Sequence, residues 1–388
     1  MESRERVIRT LERRYPDRLP LMDAFWEDTL SRWHAEGLPP EAAGDDFFGE
    51  AVGGMADYFG FDIDYLSIDA SPRLEQKLLS DDGQYLVYQD RFGYTVKKSK
   101  GKSRTMQFMN HATKDRAAWQ RLKGRFVLDP DDTARLDRAS YFMHMDEYPT
   151  WAEAKRIFEG VRQQGRYVLV NAYGPWEATW RHRGFTELLI DMADDPAFVA
   201  EMAEAYLDLL LDVLRRCLEE GIRPDGLFLI EDLAYTRGLL FSPRSWRRIF
   251  KPLLRRLGRF LQENDIAFWM HCCGNAEPLF EDLIECGLQV IQPLEAKSGL
   301  DVRQLRTQYG ERLTFWGNIN VINMATGTDE EIEAEIRTKL APFVADGGGY
   351  IYHSDHSVPP EVSFERYRLV LDLVRRYGTL APRRMPFL

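Results

Sequence analysis

Short apolar runs, rich in β-branched and aromatic residues, alternate along this chain with longer stretches whose apolar residues recur every three to four positions. Eight runs read as buried strands: 19–22, 63–67, 167–170, 226–230, 267–270, 288–291, 313–316 and 349–352. They are nearly continuous in apolar character, as a strand covered on both faces must be. Between them lie amphipathic stretches. The segment 196–220 carries Phe198, Met202, Tyr206, Leu210, Val213 and Leu214 at helical spacing and stops at Gly221. Ser242-Pro243 opens a helix expected to run to about Glu263, Thr328 to Glu331 has the capping-box pattern, and 362–377 closes the chain. Strands alternating with helices predict a parallel sheet with crossover helices. The count of eight favours an α/β fold of the (β/α)8 TIM-barrel type over an open sheet.

One stretch breaks the rhythm. In 83–110, Tyr85 to Asp90 and Tyr94 to Lys98 alternate around a turn at Arg91-Phe92-Gly93, which marks an antiparallel hairpin. We expect a single domain over 1–388, interrupted by this insertion at about 80–145.

Composition narrows the class. The net charge is -11 and 44% of the 388 residues are hydrophobic. A large core is available, and an acidic chain argues against nucleic-acid binding. Basic runs such as Arg244-Ser245-Trp246-Arg247-Arg248 are balanced by acids and read as solvated helix faces. No run approaches the ~20 apolar residues of a membrane helix. The charged N-terminus has no signal-peptide core. Four cysteines, two of them adjacent, form no disulfide framework. These features point to a cytoplasmic protein.

In a (β/α)8 barrel, catalysts stand at the C-terminal ends of the strands. After the first proposed strand come Asp23, Trp26 and Glu27, and after the second Asp69. The third is followed by Tyr173-Gly174-Pro175-Trp176-Glu177, the fourth by Glu231-Asp232, and the fifth by His271-Cys272-Cys273-Gly274-Asn275. Glu295 and Lys297 follow the sixth, Asn318 and Asn320 the seventh, and His353 to Ser357 the eighth. His271 and Cys273 form a His-x-Cys pair. Imidazole and thiolate together suit zinc, and in an extended segment residues two apart face the same way. Cys272 then turns into the packing. A third ligand must come from another loop: His356 is preferred, with His353, Glu231 and Glu295 as rivals. Glu231 or Asp232 could act as general base or orient a ligand; the bland alternative is an acidic residue at a helix N-terminus. Asp23 and Asp69 are further catalytic candidates. Trp26, Tyr173, Trp176, Glu177, Asn318 and His353 are candidate substrate contacts, although Trp176 serves equally well as a core residue. Asp346-Gly347-Gly348-Gly349 lacks the Lys-Ser/Thr of a phosphate-binding P-loop.

The motifs His271-Cys272-Cys273-Gly274-Asn275, Gly317-Asn318-Ile319-Asn320, and Gly347 to Ile351 running on to His356-Ser357-Val358-Pro359 resemble the uroporphyrinogen decarboxylase superfamily. The likeness extends through Gly174-Pro175, Ser242-Pro243 and Pro252. It implies a single (β/α)8 barrel and a tendency towards homodimers. True decarboxylases of this superfamily carry an arginine-rich loop after the first strand. This chain has Asp23-Ala24-Phe25-Trp26-Glu27-Asp28 there, which would repel a polycarboxylate. The corrinoid-dependent methyltransferase branch carries His-x-Cys and a later Cys as zinc ligands. His271 and Cys273 match the pair, and His356 stands where the later Cys would be. The resemblance therefore implies a zinc methyltransferase acting on a small methylated compound or thiol, with a corrinoid (cobalamin) on a partner protein. A metal-free decarboxylase using Asp23 or Asp69 with His356, and a non-enzymatic tetrapyrrole carrier, are its rivals.

Overall fold

The computed structural model describes residues 1–42, 54–100, 106–129, 133–137 and 149–380. The chain divides into two compact units. One comprises Met1–Asp64, Arg162–Val168 and Gln289–Leu388; the other comprises Tyr65–Val161 and Leu169–Leu288. Among the described residues no helix is long and apolar enough to cross a membrane.

In the first unit three short parallel strands pair in chain order: Val290–Gln292 with Thr314–Trp316, and Thr314–Trp316 with Tyr350–Ile351. All three are fully buried, as their apolar runs predicted. The expected strand 19–22 does not form. Pro20 has no N–H to give a ladder. What remains is a set of isolated parallel bridges, Leu21 with Tyr352 and Phe25 with Val358. The helix Asp329–Asp346 has the predicted capping box between Thr328 and Glu331 and ends at Gly347 with φ +83°. The last helix, Phe364–Tyr377, is capped by Ser363, slightly inside the expected start.

In the second unit the strands Gly226–Ile230 and Ala267–His271 pair in parallel, and the later part of Tyr167–Tyr173 pairs with Gly226–Ile230. Their register aligns the strand ends. Tyr173 pairs with Ile230, and Ile230 with His271, so the three strands end level with one another. The residues just beyond, Gly174, Glu231 and Cys272, therefore share one edge. The helix Pro196–Glu219 matches its prediction closely, with Asp195 as N-cap. The single helix expected over 242–263 is instead two, Pro243–Ile249 and Lys251–Glu263. Pro252 has no N–H to return to the preceding turn, so the first helix cannot run through it.

The insertion is antiparallel, and larger than the predicted hairpin. Four strands, Lys77–Asp81, Tyr85–Gln89, Tyr94–Ser99 and Met106–His111, pair in sequence order. The turn forms where expected. Asp90 accepts the Phe92 N–H at 2.8 Å, and Gly93 takes φ +90°. Lys77–Asp81 is exposed along its whole length, so it carries none of the alternation by which a strand is recognised. The expected end of the insertion, near residue 145, lies outside the described residues.

Candidate active site

In the second unit the strand Ala267–His271 runs into a turn at Gly274, with φ +78°. A Cβ on Gly274 would stand 2.6 Å from the Tyr235 backbone, so only glycine fits this approach. The extended stretch before the turn sends alternate side chains opposite ways. Cys272 is buried and its sulfur accepts the Leu233 N–H at 3.3 Å. Burial, reinforced by the Asp232 charge, holds its thiol well above the usual range. It is a neutral packing group.

His271 and Cys273 face the other side and meet. His271 Nε2 is 3.3 Å from Cys273 Sγ and 3.5 Å from Asp232 Oδ1. Asp232 Oδ1 also accepts the Cys273 N–H at 2.7 Å. One ligand atom from each of the three residues lies within 4.8 Å of the others, and all three residues are half-buried. The spacing can be tested against a metal. Tetrahedral zinc, with Zn–N of ~2.0 Å and Zn–S of ~2.3 Å, sets nitrogen and sulfur about 3.5 Å apart, and nitrogen and carboxylate oxygen about 3.3 Å apart. The observed separations fit such an ion, and N, S and O donors in one cluster suit its borderline softness.

Behind this cluster stand two enclosed carboxyl groups. Glu231 accepts the backbone N–H groups of Trp176 and Glu177 at 3.1 and 3.0 Å. It thereby caps the helix Pro175–Arg183 from across the fold, satisfying donors that every helix start leaves open. Gly174 makes room for it: a Cβ there would stand 2.2 Å from Glu231 Oε2. Burial, together with the nearby charges of Glu177 and Asp232, pushes the Glu231 carboxyl well up, against the pull of its two backbone hydrogen bonds. Glu177 is pushed up to about 7, by burial first and by Asp232 as well, while Arg181 opposes the shift. The Trp180 indole donates to Glu177, and Arg181 lies 3.7 Å from it. The Arg181 guanidinium also covers the Tyr173 ring at 3.8 Å. Trp176 is enclosed among Phe185, Phe241 and Phe250, where it closes the core.

Asp69 is buried against three guanidinium groups, Arg73 at 3.0 Å, Arg91 at 3.2 Å and Arg135 at 3.9 Å. Burial alone would raise its pKa, but the three cations outweigh it and hold the group below the usual carboxylate range. Asp69 thus anchors residues of the insertion.

The first unit holds the other candidates. The His356 ring stacks on Trp26 with centroids 5.8 Å apart. Glu295 accepts from Ser298 at 2.8 Å and pairs with Lys297 at 3.1 Å. Burial opposes its ionisation, but these partners and the His356 charge together lower its pKa. Asn318 is enclosed with φ +77°. Its amide donates to the Leu294 and Leu300 carbonyls and accepts the Val302 N–H, so its side chain braces the surrounding loops. His353 touches Gln292, Ser354 and Asp23. Asp23 itself is fully enclosed among hydroxyl and N–H donors. A cavity of about 490 Å³ in this unit lies where the chain enters the strand Tyr167–Tyr173, away from the strand ends that carry these groups. Its lining guanidinium groups Arg6, Arg18 and Arg166 are paired with Asp17, Asp62 and Asp57.

Sequence reasoning passed over Arg181 and Ser354. Arg181 had a signal, since Glu177 and Arg181 stand four apart on a helix. Ser354 had none, because Asp23, the carboxylate it meets, comes from the other end of the chain.

Comparison with known proteins gives the family. The uroporphyrinogen decarboxylase (URO-D) family model matches residues 120–377. No curated protein matches the sequence. Among solved structures, a methyltransferase from Methanosarcina mazei is similar over 97% of this chain and 99% of its own, with 14% identity and a TM-score of 0.63. That likeness bears out the α/β fold of (β/α)8 type with an antiparallel insertion. A pneumococcal exo-β-D-N-acetylglucosaminidase (11% identity, 83% of this chain and 77% of its own, TM-score 0.38) is too distant to carry an argument. With more than half of its length matched, the chain belongs to the uroporphyrinogen decarboxylase family.

Proposed function

We propose that the protein is a zinc-dependent methyltransferase that moves a methyl group between a small methylated compound or thiol and a corrinoid carried by a partner protein. The observation that carries this reading is the convergence of His271 Nε2, Cys273 Sγ and Asp232 Oδ1 at spacings that suit one zinc ion. The full-length likeness to a methyltransferase supports it at the level of fold. The ion would supply Lewis acidity, stabilising a thiolate or activating a methylated heteroatom. His271 and Cys273 hold it. The third ligand is His356 on the resemblance and Asp232 on the geometry of the second unit. Glu177, enclosed and held by the Trp180 indole and Arg181, stands behind this edge with Glu231. Glu231, fixed by two backbone N–H groups, orients this edge and moves no proton. Tyr173, at the end of its strand beside Ile230, borders the substrate.

The metal-free decarboxylase reading needs Asp23 or Asp69 to face substrate, and both are enclosed. Metal analysis of protein purified without added zinc tests the proposal. Zinc stoichiometric with the chain, lost in Cys273→Ser, is the expected result; no metal, with stability indifferent to chelator, would sink it. Comparing Asp232→Ala with His356→Ala identifies the third ligand by which variant loses the ion.

A further inference from the structure

The carboxylate of Asp23 is the hub of the loop that succeeds the last strand. Its side chain is completely enclosed. Oδ2 accepts from the hydroxyls of Tyr352 and Tyr367 at 3.0 and 3.1 Å. Oδ1 accepts the Ser354 hydroxyl at 2.5 Å and the Ser354 N–H at 3.2 Å. The same Ser354 hydroxyl lies 2.6 Å from the backbone carbonyl of His356; its single proton serves one of these two acceptors at a time, so the hydroxyl is lodged between Asp23 and the backbone of that histidine. Two backbone bonds lace the same stretch together: Val358 N–H to the Ala24 carbonyl at 2.7 Å and Trp26 N–H to the Val358 carbonyl at 3.3 Å. The His356 ring then rests on Trp26.

His353 is held from the same point. Its Nδ1 lies 2.5 Å from the Ser354 carbonyl and 3.4 Å from Asp23 Oδ1. Both neighbours are acceptors, so Nδ1 carries the proton. Nε2, 3.1 Å from the Gln292 side-chain amide, keeps its lone pair and accepts from it. These partners fix the tautomer.

We propose that Asp23 is a positioning residue: through Ser354 it sets the backbone that presents His356, and through the hydrogen-bond pattern around His353 it sets that ring's tautomer. A carboxylate with no exposed surface cannot touch substrate, and its oxygens are occupied by the adjacent Ala24 N–H and by donors from Tyr352, Ser354 and the last helix. Ligands held by outer partners bind metal more tightly than loose ones, commonly by ~10–100-fold. The consequence for metal binding rests on His356 being a ligand, as proposed above; the consequence for the His353 tautomer does not.

The test uses the full chain with Co2+ as probe, read by its thiolate charge-transfer band, and ¹⁵N-imidazole spectra of the histidines. Asp23→Asn is expected to weaken Co2+ binding by about 10–100-fold. It should move the His353 signals away from the Nδ1-protonated pattern. The Asp23→Asn/His356→Ala double variant should bind no more weakly than His356→Ala alone. Ser354→Ala removes this hydroxyl alone; it should weaken Co2+ binding and leave the His353 tautomer in place, and it decides the matter should Asp23→Asn fail to fold. Wild-type Co2+ affinity in both variants overturns the proposal, and so does additivity in the double variant. If the wild-type protein binds no Co2+ at all, the zinc reading falls. The inference then stands or falls on whether Asp23→Asn shifts the His353 tautomer.

Discussion

Asp23 follows an isolated bridge and Asp232 a strand, each stands beside a histidine, and the two behave as opposites. In the first unit Asp23 is sealed and its oxygens are filled by two tyrosines and Ser354. In the second unit Asp232 keeps 38% of its side-chain surface open and faces His271 and Cys273. Sequence type does not separate them. What separates them is how many donors the fold sends to each carboxylate. A saturated carboxylate holds structure together, and an unsaturated one beside soft ligands remains available for an ion.

The largest effect is expected at the open cluster. Outer partners of a metal ligand are worth ~10–100-fold in affinity, so loss of a ligand should cost more than about 100-fold. His271→Ala or Cys273→Ser should show this in a zinc titration with a competing chelator, with little change in thermal stability of the metal-free protein. Next, Asp23→Ala removes the acceptor shared by the buried Tyr352 and Tyr367 hydroxyls and should destabilise by about 3 kcal/mol. Asp232→Ala should cost no more than about 1 kcal/mol. Denaturant midpoints compare the two, and equal losses would erase the distinction. Glu231 sharpens it, being a saturated carboxylate in the second unit. Gly174→Ala drives a methyl group against Glu231 and should cost about 2 kcal/mol, read the same way.

The effect that is smallest at neutral pH concerns a group that is enclosed but only half satisfied. His182 bonds Thr113 through Nδ1 at 2.8 Å and packs against Trp119, while its Nε2 is buried with no hydrogen-bond partner among the described residues. Burial, then the charges of His111 and Arg183, lower its pKa to about 3. The folded protein therefore keeps it neutral where the unfolded chain, near 6.5, takes up a proton. Its contribution is intact above pH ~6.5 and is lost as pH falls towards about 3. A thermal-stability profile should flatten across that window in His182→Gln.

Much of this was legible from the sequence. The run His271-Cys272-Cys273 announced both its strand end and its alternation, because a period of two comes from backbone geometry alone. The pairing of Asp232 with that run was not legible. It depends on which residue of Gly226–Ile230 lies level with His271, and register is set by packing across the sheet. Asp23 looked catalytic for the same reason. Its position after an apolar run was visible, but apart from the adjacent Ala24 N–H the groups that fill it come from Tyr352, Ser354 and Tyr367, at the far end of the chain. Asp69 likewise meets arginines from three separate stretches. The first strand of the insertion escaped because Lys77–Asp81 buries nothing.

The close approach of Gly174 to Glu231 also restricts the order in which this sequence can change. The backbone at Gly174, φ -79° and ψ 169°, is comfortable for any residue, so space alone forbids a side chain there. A lineage that shortens position 231 to Asp first gains room for Ala at 174. A lineage that acquires Ala at 174 first must pass through the collision. Neither substitution has a fixed cost of its own, and the tolerance of one position is written at the other.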